Sequence, residues 1–399
     1  MEVYSIDNQV IKMFLEDFNT FIDYLNSNIV TISKTKKHIS PKLLYGINEL
    51  MYVKQDNITE RSTQLSYPRL HFLCNLAVSG KLVKEENIKS NKIALIPTER
   101  QQMFNKLNNI EKYIFLLETL WIDCDFEKMQ YQTYDWMKIY TVKRIVRYLS
   151  GEKANEIIYF NEQFSIGSTI LLYFSYFGLI DVKEYKNEED KSVRSFTPSE
   201  IVISDLGLKV FKVIDRERDI EKWNIPFKKQ CGEWKIDFNQ EFFELFKSLF
   251  EKGELEKTLP RGKHELKEGI YTFKVSLNRN TWAKIKMSAN HTLNDLHNYI
   301  QDAFAFDNDH MYSFFMDGRA WSHDKFTCPM DNEGPYADEV MIGEIGLYKK
   351  QRILYLFDFG DEWRFDVEVF DIEDSNIKLL RPQIAERKGE PPEQYPCFW

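Results

Sequence analysis

The sequence predicts an α+β protein with a mostly helical N-terminal region and a compact C-terminal domain built on a mainly antiparallel sheet. Three observations predict this class. Apolar residues recur at helical spacing through much of residues 1–250, one order of helices and strands occurs twice there, and alternating strands dominate residues 269–399. Aromatic residues make up 15% of the 399 residues, so both parts have material for a folded core.

Two amphipathic helices begin the N-terminal region. Apolar residues follow Asp7, a suitable N-cap, at helical spacing between residues 10 and 25. Ser40 and Pro41 then begin a second helix, because proline in the first turn of a helix loses no hydrogen bond.

The next segment predicts a helix followed by a two-stranded hairpin. Residues 67–78 form the helix, which ends at Gly80. Short strands at 81–84 and 93–96 enclose a charged loop, and Thr98 caps a further helix.

The same order of elements recurs further along the chain. A helix at 169–177 precedes strands at 179–182 and 201–203, which enclose a charged loop at 186–194, and Ser204 caps the next helix. Helix, strand, loop, strand and capped helix is the order of a winged-helix domain. The sequence therefore predicts two winged-helix-like units.

Two interpretations of these units remain open, namely DNA contact, or packing and dimerisation. A recognition helix needs side chains that contact bases and phosphates. The helix at 67–78 offers only Arg69, His71 and Asn75, and the helix at 169–177 has no charged residue. Because the two helices carry so few charged side chains, the sequence favours packing or dimerisation over DNA contact.

The most basic short stretch, residues 138–153, offers the best candidates for phosphate contact. Arg144 and Arg147 are three residues apart, so they share one face of a helix. The alternative is an ordinary solvated helix face. The predicted nucleic-acid contacts are Arg69, Lys143, Arg144 and Arg147.

The negative charge of the chain lies in its C-terminal part. Residues 1–263 carry 38 basic and 38 acidic residues, whereas residues 264–399 carry 15 and 24, which accounts for the whole net charge of −9. Because Lys and Arg neutralise phosphate in nucleic-acid complexes, the C-terminal part is unsuited to DNA. The predicted divisions are 1–110 and 111–250, each with one winged-helix-like unit, a charged linker at 251–268, and a domain at 269–399.

The sequence of the C-terminal domain predicts a sheet with one helix. Strands at 270–277 and 282–287, a helix at 293–304 and a strand at 311–315 follow in the order of a β-grasp-like fold. Two aromatic-rich runs on either side of residues 360–362 then predict a β-hairpin.

Three motifs follow one another in this domain. Leu296 and His297 lie on the helix and precede an Asp-Asn-Asp-His run at 307–310, a Phe-Asp-Phe-Gly-Asp-x-Trp run spans 357–363, and Pro-Pro-Glu spans 391–393. In this order they resemble the signatures of the plasmid pRiA4b ORF-3-like family across residues 269–399. The resemblance implies an accessory role near plasmids and mobile elements more than it implies a reaction. The motif residues are Leu296, His297, Asp307, Asp309, His310, Asp358, Phe359, Gly360, Asp361, Trp363, Pro391, Pro392 and Glu393.

The chain also departs from the family at two points. Members often carry His two residues after the hairpin Trp, where this chain has Phe365. Members often end in a Cys- and Gly-rich run after Pro-Pro-Glu, where this chain has only Cys397 among residues 394–399. If relatives build a metal or polar site from that His and Cys, this protein has lost part of it.

A metal or acid–base site is an alternative role for this domain. His297, Asp309, His310 and Asp361 are of types that bind zinc or move protons. Their spacing matches no metal-ligand pattern, and each also suits a structural role in a helix or turn. Phosphate-loop, nucleophile-elbow and zinc-helix motifs are missing. We therefore expect no cofactor, with a divalent metal as the alternative.

Taken together, these features favour a cytoplasmic, non-enzymatic accessory or regulatory protein. The N-terminus lacks a signal-peptide pattern, no apolar run reaches membrane-spanning length, and the five cysteines are never paired as C-x-x-C. The N-terminal region would contact DNA or dimerise, and the acidic domain would bind a protein partner or itself. The alternatives are a metal-dependent hydrolase or nuclease, and a binding module formed by exposed aromatic residues.

Overall fold

The protein folds into two compact units, one mainly helical and one built on a sheet. The first consists of Met1–Phe227 and Phe238–Pro260, and the second of Lys228–Asp237 and Arg261–Trp399. This distribution confirms the α+β class, while the predicted divisions at 110, 250 and 268 stay predictions. The computed structural model describes residues 9–89, 92–132, 135–159, 168–185, 196–233, 235–261, 266–375 and 377–395.

The first unit opens with α1 (Gln9–Ser27), β1 (Val30–Ile32), α2 (Pro41–Leu50), α3 (Pro68–Ser79), β2 (Val83–Lys89) and β3 (Lys92–Pro97), with a 3₁₀ turn at Gln64–Ser66. The strands are antiparallel in the order β1-β3-β2, because β1 pairs with the second strand of the β2–β3 hairpin. The apolar stripe predicted between residues 10 and 25 is the buried face of α1.

A buried helix follows this first group of elements. The segments are α4 (Glu99–Asn105), α5 (Asn109–Ile122) and α6 (Phe126–Met129). Every residue of α5 from position 113 onward is buried, as expected for a helix that is apolar on most sides. A capping box between Asn108 and Glu111 satisfies amide groups at its N-terminus.

The rest of the first unit repeats the opening arrangement. It contains α7 (Ile139–Gly151), β4 (Ile157–Tyr159), α8 (Ser168–Tyr176), β5 (Ile180–Glu184), β6 (Pro198–Ile203), α9 (Asp205–Arg216), α10 (Ile220–Trp223), α11 (Ile225–Gln230) and a 3₁₀ helix at Phe242–Leu249. The antiparallel order β4-β6-β5 matches that of the first sheet. The charged loop predicted at 186–194 lies outside the described residues.

A close approach between backbones fixes how α9 packs in the second repeat. A Cβ atom placed on Gly207 would lie 1.8 Å from the carbonyl oxygen of Leu179, so only glycine fits at this point of the helix. The N-cap hydroxyl of Ser204 accepts from the Gly207 amide and donates to the carbonyl of Gly178. The start of α9 is therefore tied to the chain just before β5.

The second unit is an antiparallel sheet with a helix packed against it. Fully buried residues on the two elements, including Phe273, Ile285, Ile300 and Phe365, form the core. The register that pairs Phe357 with Trp363 confirms the predicted hairpin. The elements are β7 (Ile270–Ser276), β8 (Trp282–Ser288), α12 (Leu293–Phe304), β9 (Tyr312–Phe315), β10 (Lys325–Thr327), a 3₁₀ turn (Ile342–Glu344), β11 (Arg352–Phe357), β12 (Trp363–Glu373) and β13 (Gln383–Lys388).

Strand order in this sheet is β10-β9-β11-β12-β7-β8-β13, and each neighbouring pair is antiparallel. The first strand of the domain, β7, therefore lies between β12 and β8, and the order of strands, helix and strand predicted at 270–315 is present. Within the described part of the chain, no helix combines the length and apolarity needed to cross a membrane.

Candidate functional site

The three family-motif segments meet at one end of the C-terminal sheet. They are residues 305–311, 358–362 and 391–395, and we call this region the loop end of the sheet. It lies where β11 ends beside the start of β9, and the Asp358 amide there donates to the carbonyl of Met311 at 2.9 Å. Motifs that are far apart in sequence thus lie side by side in the fold.

His297 is part of a buried chain of hydrogen bonds beneath α12. Gln301 Nε2 donates to the Tyr355 hydroxyl at 2.7 Å, and the same hydroxyl lies 2.7 Å from His297 Nδ1. Asn308 Oδ1, an amide oxygen that can only accept, lies 2.7 Å from His297 Nε2, so Nε2 carries the ring proton and donates to it. In the neutral ring Nδ1 is then an acceptor, so the Tyr355 hydroxyl donates its proton to Nδ1.

The surroundings of His297 keep the imidazole neutral. Burial lowers the pKa of His297 to about 4, against the opposing effect of its hydrogen bond to Asn308. The ring also stacks on Tyr312, with centroids 3.7 Å apart and planes 10° apart. Both ring nitrogens are engaged, so His297 links the helix to β11 and has no lone pair free for a metal.

Asp358 organises the hairpin turn. Its Oδ1 accepts from the amides of Gly360 (2.9 Å) and Asp361 (3.3 Å), and its Oδ2 lies 3.1 Å from Nε2 of His310. Its φ of +56° places it in the left-handed region, as does the φ of +52° at Glu362. The carboxylate thus fixes the turn with one oxygen and orients a surface imidazole with the other.

The third motif segment is attached to the first by side chains that follow Pro391-Pro392-Glu393. Gln394 Oε1 accepts from the Asp307 amide at 2.5 Å, and its Nε2 donates to the Asp307 carbonyl at 3.2 Å. Tyr395 donates to Asp309 Oδ1 at 3.1 Å. Burial and the Asp309 carboxylate raise the pKa of Tyr395 to about 12, so the phenol keeps its proton.

Trp321 presents an aromatic surface beside the same turn. Its side chain is 55% exposed, although its φ of +62° is rare for a bulky residue. The indole N–H donates to Glu362 Oε1 at 3.2 Å, and the ring packs edge-on against Phe359 and Phe315. The aromatic residue is therefore held in place while much of it stays accessible.

The predicted metal set does not form a ligand cluster. Asp309 bonds to Tyr395, His310 pairs with Asp358, Asp361 is exposed in the turn, and His297 is saturated by its neighbours. In the parts of the chain that the structure describes, no group of three or more His, Cys, Asp or Glu side chains could hold a metal ion. What remains at the surface is an Asp–His pair, which can move a proton.

Arg69, predicted to contact nucleic acid, lies inside the first unit. Its Nε donates to Asp17 Oδ2 at 2.6 Å, and its side chain is only 12% exposed. Asp17 is fully buried and also accepts from the amide of Tyr52 at 2.6 Å. The guanidinium lies over the ring of Tyr176, 5.1 Å from its centre. Arg69 therefore joins α1, α3 and α8.

The other predicted cations lie on α7 and differ in their ion pairing and exposure. Lys143 is paired with Glu221 and with Asp219, the latter at 2.9 Å. Arg147 has a 69% exposed side chain with Asp215 at 3.6 Å, and Arg144 is exposed. The structure thus brings Arg144 and Arg147 to one accessible face, as their spacing predicts, and leaves Arg69 elsewhere.

The two helices that precede the hairpins contact each other. Phe72 of α3 stacks on Tyr173 of α8, with ring centres 4.2 Å apart and planes 20° apart. Phe177, directly after α8, packs edge-on against Phe72 and tilted against Phe14 of α1. Most residues of both helices are buried.

These features define the structural class of the C-terminal unit. The C-terminal unit is an α+β domain whose ordered motifs build a hydrogen-bonded loop end on an antiparallel sheet. Residues 269–397 match the family model described as plasmid pRiA4b ORF-3-like protein, which is the resemblance that the sequence motifs indicate. A crystal structure of a protein of unknown function from Methanosarcina mazei Go1 matches at 21% identity with a TM-score of 0.26, covering 30% of this chain and 69% of that chain. No curated protein matches the chain.

Several motif residues have structural roles, and some important residues lie outside the predicted set. Leu296 is a core residue, and Trp363 packs edge-on against Phe306. The predicted set lacks Tyr355, which partners His297, and Trp321, which partners Glu362. Aromatic density in the sequence could have indicated both. Their partners depend on contacts between distant segments and carry no local signal.

Proposed function

We infer that this protein is a non-enzymatic accessory protein that acts through contact with another protein. In this proposal the first unit is a scaffold of two winged-helix-like repeats, and the acidic C-terminal domain makes the partner contact. The observation that carries the proposal is the burial of α3 and α8 against each other, with Phe72 stacked on Tyr173.

The repeats support a winged-helix interpretation. In each, a helix and a short strand precede a further helix and a hairpin, with α2 as an additional helix in the first repeat, and the short strand pairs with the second hairpin strand. In helix-turn-helix proteins, the helix in the position of α3 or α8 enters the major groove of DNA. A helix whose residues are mostly buried cannot enter a groove while that packing persists. The repeats therefore fit a scaffold better than a DNA reader.

The chemistry of the loop end supports a non-enzymatic role. The most reactive pair there, His310 and Asp358, is joined to a turn, and the neighbouring carboxylate of Asp309 is bonded to Tyr395. A hydrolytic site would need a nucleophile, a base and a stabiliser of developing charge within reach of one another. The side chains at the loop end are instead engaged in bonds that hold its segments together. The plasmid origin in the family's description supports an accessory role near mobile DNA.

DNA contact through α7 is the second candidate function. It is favoured by the exposure of Arg144 and Arg147 on one helix face. Two cations give only weak, sequence-independent attraction to phosphate, which falls steeply as salt rises. Such contact would position the protein on DNA without reading its sequence.

Fluorescence anisotropy with full-length protein tests both candidates. Labelled duplexes of plasmid sequence and of shuffled sequence should bind equally and weakly at low salt, and binding should vanish at physiological salt. The double variant Arg144→Ala/Arg147→Ala should reduce the low-salt binding. Selective binding of the plasmid duplex at physiological salt would refute the scaffold proposal.

A hydrolysis assay tests the non-enzymatic claim separately. The protein should not cleave single- or double-stranded nucleic acid, or a phosphodiester reporter, with Mg²⁺, Mn²⁺ or Zn²⁺ added. Cleavage that His310→Ala abolishes while the fold is retained would establish an enzyme instead.

A further inference from the structure

We propose that the loop end of the C-terminal sheet binds a Lys- and Arg-rich segment of a partner protein, with Trp321 as the anchor. This rests on the proposed function and names the kind of partner that the acidic domain takes. It starts from an exposed tryptophan that the fold holds in an unfavourable backbone conformation.

The backbone at Trp321 is strained, although among the described residues the side chain makes only one exposed hydrogen bond and edge-on ring contacts. A bulky residue at φ +62° costs free energy that glycine would not, and its side chain is 55% exposed, so it adds little to the core. Strain that persists at an accessible residue is typical of binding and catalytic sites. Tryptophan is also among the residues that most often dominate binding energy at protein interfaces.

The loop that carries Trp321 is held rigidly. The Asp317 carboxylate accepts from the amide and the guanidinium of Arg319 and from the Ser322 hydroxyl. Burial opposes ionisation of Asp317, but these hydrogen bonds lower its pKa below the ordinary value, so it is charged at neutral pH. The amide of Met316 donates to Asp324 across the base of the loop at 2.8 Å. A preorganised anchor loses little freedom on binding.

Charge at the surface selects a basic partner. Two cations of this region are already paired, Arg319 in the loop of Trp321 with Asp317, and Arg364 with Glu362, the partner of the indole. Asp361 is exposed in the same turn. The whole C-terminal part, residues 264–399, carries a net charge of −9, which steers cations toward it.

The indole of Trp321 suits a cation for a second reason. A Lys or Arg side chain is attracted to the face of an aromatic ring, and tryptophan gives the strongest such attraction. Glu362 fixes the ring through its N–H and is itself paired with Arg364, while the carboxylate of Asp361 in the same turn is exposed. A cationic side chain on the indole would therefore lie beside the turn that carries the exposed Asp361.

Fluorescence anisotropy with full-length protein and two labelled peptides tests the proposal. One peptide alternates Lys and Arg with Gly, and the other has Glu in place of each cation. The basic peptide should bind with an affinity that falls as salt rises, and the acidic peptide should not bind. Equal binding of the two peptides, or no binding of the basic one, would overturn the proposal.

Three variants assign the binding to this surface. Trp321→Gly should weaken binding of the basic peptide by at least about tenfold, because it removes the anchor. Asp361→Asn should weaken it a few-fold. Trp136→Ala is the matched control, because Trp136 is 58% exposed in the first unit, and it should bind as the wild type does. Trp321→Gly that binds like the wild type would also overturn the proposal.

Glycine is chosen at position 321 because it suits a positive φ. The thermal midpoint of Trp321→Gly should equal or exceed that of the wild type, whereas a purely structural Trp321 would make it fall. Sedimentation analysis covers self-association: a dimer that Trp321→Gly abolishes would assign the surface to a second copy and refute the basic-peptide proposal. If the basic peptide fails but DNA reading and hydrolysis are also absent, this inference fails and the proposed function stands.

Discussion

The hydrogen-bond partners of the two His297 ring nitrogens, Tyr355 and Asn308, determine the tautomer of the imidazole. Burial keeps the imidazole neutral, and Asn308 Oδ1 can only accept, so the ring proton lies on Nε2 and Nδ1 accepts from the Tyr355 hydroxyl. The position of His297 on the predicted helix is readable from sequence. Its hydroxyl partner is 58 residues away, so neither the tautomer nor the structural role is readable in the same way.

Replacing His297 tests this hydrogen-bond chain. His297→Ala should lower the free energy of unfolding of the C-terminal unit by about 3 kcal/mol, because Tyr355 loses the acceptor for a buried hydroxyl. Urea denaturation followed by circular dichroism measures the loss. His323→Ala, at an exposed position, should change stability by less than about 0.5 kcal/mol and serves as the control. Equal effects of the two changes would contradict a buried network.

The low pKa of His297 also predicts a pH dependence. The unfolded chain takes up a proton at the ordinary histidine pKa near 6.5, whereas the folded chain does so only near 4. Stability from this group is therefore complete above pH 6.5 and is lost as the pH falls toward 4. His297→Gln should remove this part of the slope, measured as the difference between variant and wild-type denaturation across that range. An unchanged slope would show that the imidazole is not held neutral.

Arg69 is a second residue whose structural role cannot be predicted from its local sequence. Its position in a helix before a hairpin favours phosphate contact, but its pairing with the fully buried Asp17 requires a structural role. Arg69→Met should destabilise the first unit by about 3 kcal/mol, because it leaves a buried carboxylate without its partner. Low-salt DNA affinity should not change. A loss of DNA affinity without a loss of stability would restore Arg69 as a contact residue.

At the scale of elements, the sequence predicts the helices and hairpins better than the isolated strands. Strands β1, β4 and β10 have three residues each, too few for alternation to be visible. Strand β13 is mostly exposed, so it has no apolar face to read. Each of these strands is defined by its pairing with a distant partner, which local patterns do not encode.

The close approach between α9 and β5 provides a test at this scale. Gly207→Ala should destabilise the first unit by more than about 4 kcal/mol, because its new methyl group would overlap the carbonyl of Leu179. Gly151→Ala is the matched control, since nothing lies within 4 Å of a Cβ there, and it should leave stability equal or raise it by up to about 1 kcal/mol. If Gly207→Ala is tolerated, α9 does not pack on the chain before β5 as described.

At the scale of the whole molecule, the charge split and the family motifs already separate a neutral front from an acidic back in the sequence. The structure adds that each unit has its own hydrophobic core, and among the residues it describes none belongs to both cores. The packing of α3 on α8 joins the two predicted winged-helix-like repeats within one of these cores. That contact requires both repeats to be folded, so neither local pattern contains it.

Separate cores predict separate unfolding. A domain with its own core loses its structure cooperatively, and two such domains in one chain need not share a transition. Differential scanning calorimetry should therefore resolve two thermal transitions in the full chain. Gly207→Ala should lower only one midpoint and His297→Ala only the other, because their contacts lie in different units. Movement of both midpoints by each variant would mean that the two cores are energetically coupled.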